Sequence, residues 1–202
     1  MIHRFHVTRA TLPECVELLA SHLHCAYEIE AVPCAGAGLT ELMMPVTLDI
    51  RDVPLSRLMD QLSGANRSYV CWFEQGSIRL YPNRAAYDTT WLMARTVPAF
   101  KAVGIDLSAG MAKVNQVLSA AGPEFRFIQQ GLPAIKDING DTILLDLEWN
   151  KLPLRDVIDN FSFKFNYSWK LVPYASERDL RFRMGNDIPV APALEKESEV
   201  VL

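Results

Sequence analysis

The sequence VTLDIRDVPLSRLMDQL, at residues 46–62, decides the fold of this chain. Its first half alternates apolar and polar residues, which is the pattern of a strand with one buried face. Pro54 follows, and a proline suits the first turn of a helix because its missing amide has no partner there. The next apolar residues form one stripe of a helix: Leu55, Leu58, Met59 and Leu62. The stretch therefore predicts a strand followed by an amphipathic helix.

A second copy of this stretch lies in the latter half of the chain. It reads ILLDLEWNKLPLRDVIDNF at residues 143–161, with Pro153 in the place of Pro54 and a two-residue insertion around 149–151. Its helix presents an equivalent apolar stripe, made of Leu154, Val157, Ile158 and Phe161. Four helix positions upstream match at the same spacing, Leu12, Cys15, Leu18 and Leu19 with Met111, Val114, Val117 and Leu118. Two helices that keep one spacing indicate a duplicated domain.

Both copies predict the same order of elements: strand, helix, strand, strand, helix, strand, strand. In the first copy we expect strands at 5–8, 26–32, 46–50, 69–73 and 78–81, and helices at 12–23 and from 54 to 64 or 66. In the second copy we expect strands at 104–107, 125–129, 143–147, 167–172 and 179–183, and helices at 110–121 and 153–163. The predicted class is α+β, with two tandem small domains whose two helices pack on small mixed sheets.

The domain boundaries follow from the limits of the repeat. The first domain is predicted at residues 1–84 and the second at 102–184. Residues 85–101 lose the pattern and are interpreted as a linker, in which an extra strand is one expectation for residues 91–96. Residues 185–202, with their prolines and glutamates, predict a mobile acidic tail.

Composition excludes several kinds of partner. The chain has 202 residues, is half apolar, and carries a net charge of -4, which is typical of folded domains without a basic face for nucleic acid. No apolar run reaches the roughly 18 residues that a membrane-spanning helix needs. The start, Met1 to Phe5, does not have the pattern of a signal peptide. The absence of that pattern favours a cytoplasmic location. The alternative is that the sequence is a mature form from which the export signal has been removed.

The repeated phrase, followed by an aromatic strand and a short hairpin, resembles a known module. It is similar to the short N-terminal domain of secretins and TonB-dependent transducers, and two tandem copies would cover nearly all of residues 3–183. The resemblance implies a periplasmic fold with two helices on two small sheets, used for docking. Similar domains also occur in secretin-associated DotD-like and TcpQ-like lipoproteins of type IVB secretion and type IVb pili.

The resemblance implies a non-enzymatic function. The first hypothesis is a periplasmic docking component of a secretin-linked secretion, conjugation or type IV pilus machine. Its partners would be the secretin or other envelope subunits, and membership of a ring assembly is one possible arrangement. Nucleic acid is not expected as a partner, and no membrane-spanning segment is expected in the chain. The alternative is a signalling domain that binds a regulatory protein, as in the transducers. A small hydrolase or metal-binding protein is a third hypothesis, disfavoured because the sequence offers no convincing site.

The chain departs from each of these families. A secretin barrel would need a long β-rich region, a transducer would carry a plug and barrel, and the lipoproteins begin with a lipobox cysteine. None of these features is present in the sequence.

Four cysteines, Cys15, Cys25, Cys34 and Cys71, all lie in the first 71 residues. An even number allows two disulfides in an oxidising compartment, with three pairings, whereas free cysteines are often small buried apolar residues. If the protein is exported, we predict a Cys25–Cys34 disulfide. Those two residues flank one strand and a glycine-containing loop, and neither lies on a helix stripe.

No catalytic, cofactor-binding or metal-binding residue is predicted. His22, His24 and Cys25, with Cys34 nearby, have the chemistry of metal ligands. They lack the paired spacing of zinc sites, and side chains two positions apart at a helix end diverge. The sequence CAGAG at 34–38 lacks the GK[ST] ending of a phosphate loop.

Several residues occupy matching positions in the two copies, but their positions do not indicate a catalytic or binding role. Cys15 takes the place of Val114, which favours core packing over a nucleophile. The carboxylates Asp49 and Asp146, and Asp60 and Asp159, occupy polar positions of a strand and a helix, so we expect them to be solvated or to support the helix. Trp72 and Trp169 occupy equivalent strands, and a shared role in a core or on a sheet face is expected.

Overall fold

The structure is a computed structural model that describes residues 1–30, 44–83, 92–121, 128–129, 136–165, 168–174, 176–185 and 198–202. Its helices in these ranges are α1 (Leu12–Leu23), α2 (Leu55–Ala65), α3 (Leu107–Ala121) and α4 (Leu154–Phe165). The strands of the first copy are β1 (Ile2–Ala10), β2 (Ala26–Glu30), β3 (Val46–Val53), β4 (Tyr69–Glu74) and β5 (Ser77–Pro82). Those that follow are β6 (Thr96–Val97), β7 (Phe100–Ile105), β8 (Ile128–Gln129), β9 (Leu145–Trp149), β10 (Leu152–Pro153), β11 (Ser168–Tyr174), β12 (Ser176–Gly185) and β13 (Ser198–Val201). The predicted α+β class is confirmed.

Helix α1 begins at a capping box that the sequence encodes. The hydroxyl of Thr11 accepts a hydrogen bond from the amide of Glu14 at 3.4 Å, and the Glu14 carboxylate accepts one from the amide of Thr11 at 2.6 Å. His24 ends the helix in the left-handed conformation, with φ of 51°. These caps fix both ends of the helix, which coincide with the bounds predicted from its apolar spacing.

One sheet joins the two copies. In the described part of the chain it has six strands in the order β4-β5-β2-β11-β12-β8. The first copy contributes β4, β5 and β2, and the second contributes the others. The junction is the parallel pair β2 and β11, in which Glu28 lies opposite Trp169 and Glu30 opposite Leu171. The copies are therefore continuous through main-chain hydrogen bonds.

The two faces of this sheet are covered by helices from different copies. On one face Tyr27 and Ile29 belong to the core that contains α1 and α2. On the other face Tyr81, Trp169 and Leu171 belong to a core that contains α4. Because neighbouring residues of a strand point to opposite faces, β5 contributes Leu80 to the first core and Tyr81 to the second. Strand β2 contributes Tyr27 and Ile29 to the first core and presents Glu28 and Glu30 on the other face.

The residues of the two predicted helix stripes lie in these cores. In α2, Leu58, Met59 and Leu62 are buried and Leu55 is half-buried against the same cluster. In α4, Leu154, Val157 and Ile158 are buried. The side chain of Phe161 lies outside the described part of the structure.

Two expectations, one about the end of the chain and one about the first strand of the second copy, differ from what the smaller sheets show. The expectation of a mobile tail is wrong for Ser198–Val201, which forms β13 antiparallel to β1, in a sheet of order β13-β1-β3. The first strand of the second copy lies at Phe100–Ile105 rather than 104–107. There the ring of Phe100 stacks on that of Trp149 of β9, with 4.5 Å between centroids, and this cross-strand pair sets the register.

The linker does not form the strand expected at 91–96. Leu92–Ala94 is a 3-10 turn, and Thr96–Val97 forms a short strand paired with β10. The turn carries Met93 into the core of the second copy, where it is fully buried. Residue 91 is outside the described ranges.

Candidate protein-docking site

An apolar groove lies between helix α2 and strand β4, the edge of the six-stranded sheet. It has a volume of about 290 Å³ and is lined by Leu55, Ser56, Met59, Asp60, Cys71, Trp72 and Phe73. Phe73 leaves 44% of its surface exposed, which is high for a phenylalanine. We call this surface the α2–β4 groove. Its lining can accept an apolar side chain, with the carboxylate of Asp60 available to a basic neighbour.

The main-chain edge of β4 is closed beside this groove. The hydroxyl of Ser63 accepts a hydrogen bond from the amide of Cys71 at 2.8 Å and lies 3.1 Å from the carbonyl oxygen of the same residue. The amide of Tyr69 donates to the carbonyl of Asn66 at 3.3 Å. Because Ser63 of α2 and Asn66 just after it already accept from the Cys71 and Tyr69 amides, the groove favours side-chain recognition over the addition of a strand.

Buried ion pairs fill the junction between the copies. Glu17, Glu28 and Glu30 are almost completely buried, and each faces one cation: Lys170, Arg79 and Arg155, respectively. The Arg79 guanidinium lies 2.9 Å from Glu28 and that of Arg155 lies 2.6 Å from Glu30. A buried carboxylate is tolerated only when it is paired or protonated. Two of the three pairs, Glu17–Lys170 and Glu30–Arg155, join residues of different copies.

Asp159 is a fourth carboxyl group at this junction. The Tyr81 hydroxyl lies 2.7 Å from Asp159 Oδ1 and 2.9 Å from Glu28 Oε2, and the indole of Trp169 donates to Asp159 at 3.2 Å. A phenol has one proton, so Tyr81 donates to one of the two carboxyl groups only. Burial, followed by the charge of Glu28, raises the pKa of Asp159 to about 8. With Asp159 neutral, the described residues of this network place a cation beside each of the three glutamates.

The expectation that the recurring carboxylates are solvated is wrong for Asp159. Its counterpart Asp60 is exposed at the groove, and Asp49 is held at the surface by Arg4 and Arg51. These charges lower the pKa of Asp49, with the Arg51 hydrogen bond as the largest cause. Asp146 is exposed and accepts a hydrogen bond from the amide of Gly104 at 3.0 Å. Only Asp159 is drawn into the junction.

The two equivalent tryptophans meet at the same core. Trp169 is fully buried, and Trp72 is half-buried against the same cluster. Tyr81 lies between them, with ring centroids 5.2 Å from Trp72 and 5.8 Å from Trp169. The sequence suggested a shared core role, but it did not indicate that one core would contain both residues.

The cysteines and histidines do not form a reactive cluster in the described residues. Burial raises the pKa of Cys15 and of Cys71 to about 12, and that of Cys25 to about 11, so these thiols stay protonated near neutral pH. The ring of His22 hydrogen-bonds the carbonyl of Leu18 at 2.9 Å. Among the described side chains no group of three or more His, Cys, Asp or Glu residues could hold a metal ion. Cys34 lies outside the described residues, so its pairing with Cys25 stays a prediction.

Sequence reasoning missed Glu17, Glu28 and Glu30. In AYEIE, residues 26–30, the glutamates alternate with Tyr27 and Ile29. That pattern is normally read as a strand with one solvated face. Their cationic partners lie far away in the sequence, Arg79 in the first copy and Arg155 and Lys170 in the second, and no sequence pattern brings them together.

Comparison with known protein families, curated proteins and solved structures finds no match to this chain. None of the described helices is both long enough and apolar enough to cross a membrane.

Proposed function

We propose that this chain is a non-enzymatic docking component of a secretin-linked secretion, conjugation or type IV pilus machine, and that it acts in the periplasm. The proposal rests on the resemblance of the repeated phrase to secretin N-terminal domains. It is supported by the element order of the first copy, which is the order that the resemblance implies, and by the second copy, which adds only the two-residue strand β10 to it. The partners we propose are a secretin subunit or a neighbouring envelope subunit.

The observation that carries the proposal is the exposed α2–β4 groove. Large apolar side chains at the surface of a folded domain mark interaction sites when they line a concave patch. The exposed member of this lining is Phe73, which lies beside the buried Met59 and the half-buried Trp72 at the edge strand of the sheet. The partner chemistry that fits is an aromatic or aliphatic anchor residue with a basic neighbour facing Asp60.

The test is affinity capture from envelope extract with the full chain. We expect the wild-type protein to retain secretin subunits, and Phe73→Asp to lose them, because a carboxylate in the groove repels an apolar anchor. Phe163→Asp is the matched control, since Phe163 lies in α4, does not line the groove, and is 65% exposed. Circular dichroism of each variant would confirm that it is folded.

Two outcomes would oppose the proposal. If Phe73→Asp and Phe163→Asp capture the same secretin subunits as the wild type, the groove is not the docking site. If a regulator of an anti-sigma factor system is captured instead of a secretin, the signalling alternative is favoured.

A further inference from the structure

The first pair of strands is built in the same way in both copies. Strand β1 pairs with β3 and strand β7 pairs with β9, both antiparallel, and each pairing shifts its register once. At each shift a residue with positive φ donates its amide to a side chain of the neighbouring strand: Arg9 to Thr47 at 3.1 Å, and Gly104 to Asp146 at 3.0 Å. In this register residues 46–55 match 145–154 without the insertion expected from the sequence.

Within the described residues, the outer edge of this sheet is covered in the first copy only. Strand β13 pairs with β1, whereas β7 pairs with β9 alone. Phe5 and Val7 of β1 are fully buried. Phe100 and Ala102, which take their places in β7, are half-buried. Val200 of β13 packs against the core of the first copy, so the third strand helps to close that core, and the second copy lacks this cover in its described part.

The side chains of β7 define which strand would fit its edge. In the first copy β13 places an acidic residue opposite His6 and a valine opposite Phe5. Lys101 and Phe100 take these two places in β7. The ammonium group of Lys101 is exposed and has three donors, one of which Glu148 of β9 engages. A strand on this edge would therefore place an acidic residue opposite Lys101 and a β-branched residue opposite Phe100.

We propose that the outer edge of β7 binds an extended segment of a partner protein, antiparallel to β7, in which an acidic residue is followed by a β-branched one. The described strands of this chain all have places in sheets, and β13, which has this chemistry, is paired with β1. Main-chain hydrogen bonds would supply the affinity, and Lys101 and Phe100 the selectivity. The site lies in the second copy and does not depend on the α2–β4 groove.

Hydrogen exchange in the full chain tests whether this edge is free. In an antiparallel sheet alternate amides of a strand point to opposite neighbours. The amides of β7 that point away from β9 should exchange at least about tenfold faster than those bonded to β9. In β1, which has a neighbour on both sides, both sets of amides should exchange slowly. If the outward amides of β7 are protected as well as the inward ones, another segment of the same chain covers the edge, and the proposal is overturned.

Two synthetic peptides test the partner chemistry. In NMR titrations of the isotope-labelled full chain, the capped peptide TSEVVT should shift the amides of β7, and TSKVVT should bind at least about fivefold more weakly, because its lysine meets Lys101. The double variant Lys101→Glu/Glu148→Lys keeps the ion pair between β7 and β9 with its charges exchanged, so the sheet is retained. It should prefer TSKVVT. The proposal is overturned if neither peptide shifts the amides of β7, or if the wild type and the double variant have the same preference.

Discussion

Arg155 of α4 binds the buried carboxylate of Glu30 in β2 through two hydrogen bonds, from Nε to Oε2 at 2.6 Å and from Nη2 to Oε1 at 2.8 Å. The Glu30 side chain is completely buried, and that of Arg155 is 12% exposed. The Arg155 guanidinium also lies over the ring of Tyr81, 5.0 Å from its centroid. A residue of the second copy thus neutralises a charge that the first copy buries.

Replacement of Arg155 by alanine should destabilise the whole chain. It leaves the carboxylate of Glu30 buried without its cation, which costs about 3 kcal/mol of unfolding free energy in comparable buried pairs. Lys101→Ala is the matched control, because its pair with Glu148 is exposed and is worth less than about 1 kcal/mol. Urea denaturation would measure both. If Arg155→Ala and Lys101→Ala lose equally small amounts of unfolding free energy, Glu30 is solvated or paired with another cation.

Stability should decline with pH because of Asp159. Burial raises its pKa from 3.8 to about 8, so the folded state holds this proton more tightly than the unfolded state does. In the window between those values the unfolded state has lost the proton and the folded state keeps it. The contribution of Asp159 to the unfolding free energy therefore falls as pH rises from about 4 to about 8, then levels off.

Asp159→Asn isolates this effect from the other titrating groups. The amide keeps a hydrogen-bonding group near Tyr81 and Trp169 but does not ionise. The groups that face this position, Glu28 and Arg79 among them, stay the same in both proteins. Wild-type stability minus variant stability, from denaturation series at several pH values, should fall across the window. A flat difference would show that Asp159 is already ionised at low pH.

A carboxylate in either helix stripe should prevent stable folding. Leu58 and Val157 are fully buried, and Leu58→Asp or Val157→Asp would place an unpaired carboxylate in a core, at a cost of several kcal/mol. Leu144→Asp is the control, since Leu144 is 57% exposed. Thermal melts followed by circular dichroism should show lost or strongly lowered transitions for the two core variants only. An unchanged melt for either would place that helix face in solvent.

Ser63→Ala should lower the protection of the β4 edge against hydrogen exchange. The change removes the hydroxyl that accepts from the amide of Cys71, leaving main-chain groups of the strand without that partner. A hydrogen bond of this kind contributes about 1 kcal/mol. Hydrogen exchange at the Cys71 amide should accelerate more than at amides of β5. If its exchange rate is unchanged, the edge is protected by something other than Ser63.

The local elements could be predicted because their signals are short in range. Apolar spacing predicts α1, and alternation followed by Pro54 predicts β3 and α2. The sequence Gln75-Gly76-Ser77 also predicted the hairpin turn, because glycine suits a tight turn. In the structure Gln75 and Gly76 both have positive φ. The duplication extended these predictions to the second copy, where the order of elements is repeated.

Contacts between the copies could not be predicted in this way. Glu28 and Glu30 alternate like residues of a solvated strand face, and only the parallel pairing of β2 with β11 shows that the face is covered. Asp159 resembles Asp60 in the repeat, yet one lies at a junction and the other at a surface. Such differences arise from pairing between distant strands, which leaves no periodic pattern in either copy.

Photo-crosslinking at position 73 in cells tests the docking proposal most directly. A photoreactive phenylalanine analogue in place of Phe73 lies in the α2–β4 groove, and the same analogue at Phe163 serves as the control position. We predict that irradiation links position 73, and not position 163, to a secretin subunit identified by mass spectrometry. No secretin link from position 73 in cells that assemble the machine, or equal links from both positions, would contradict the account.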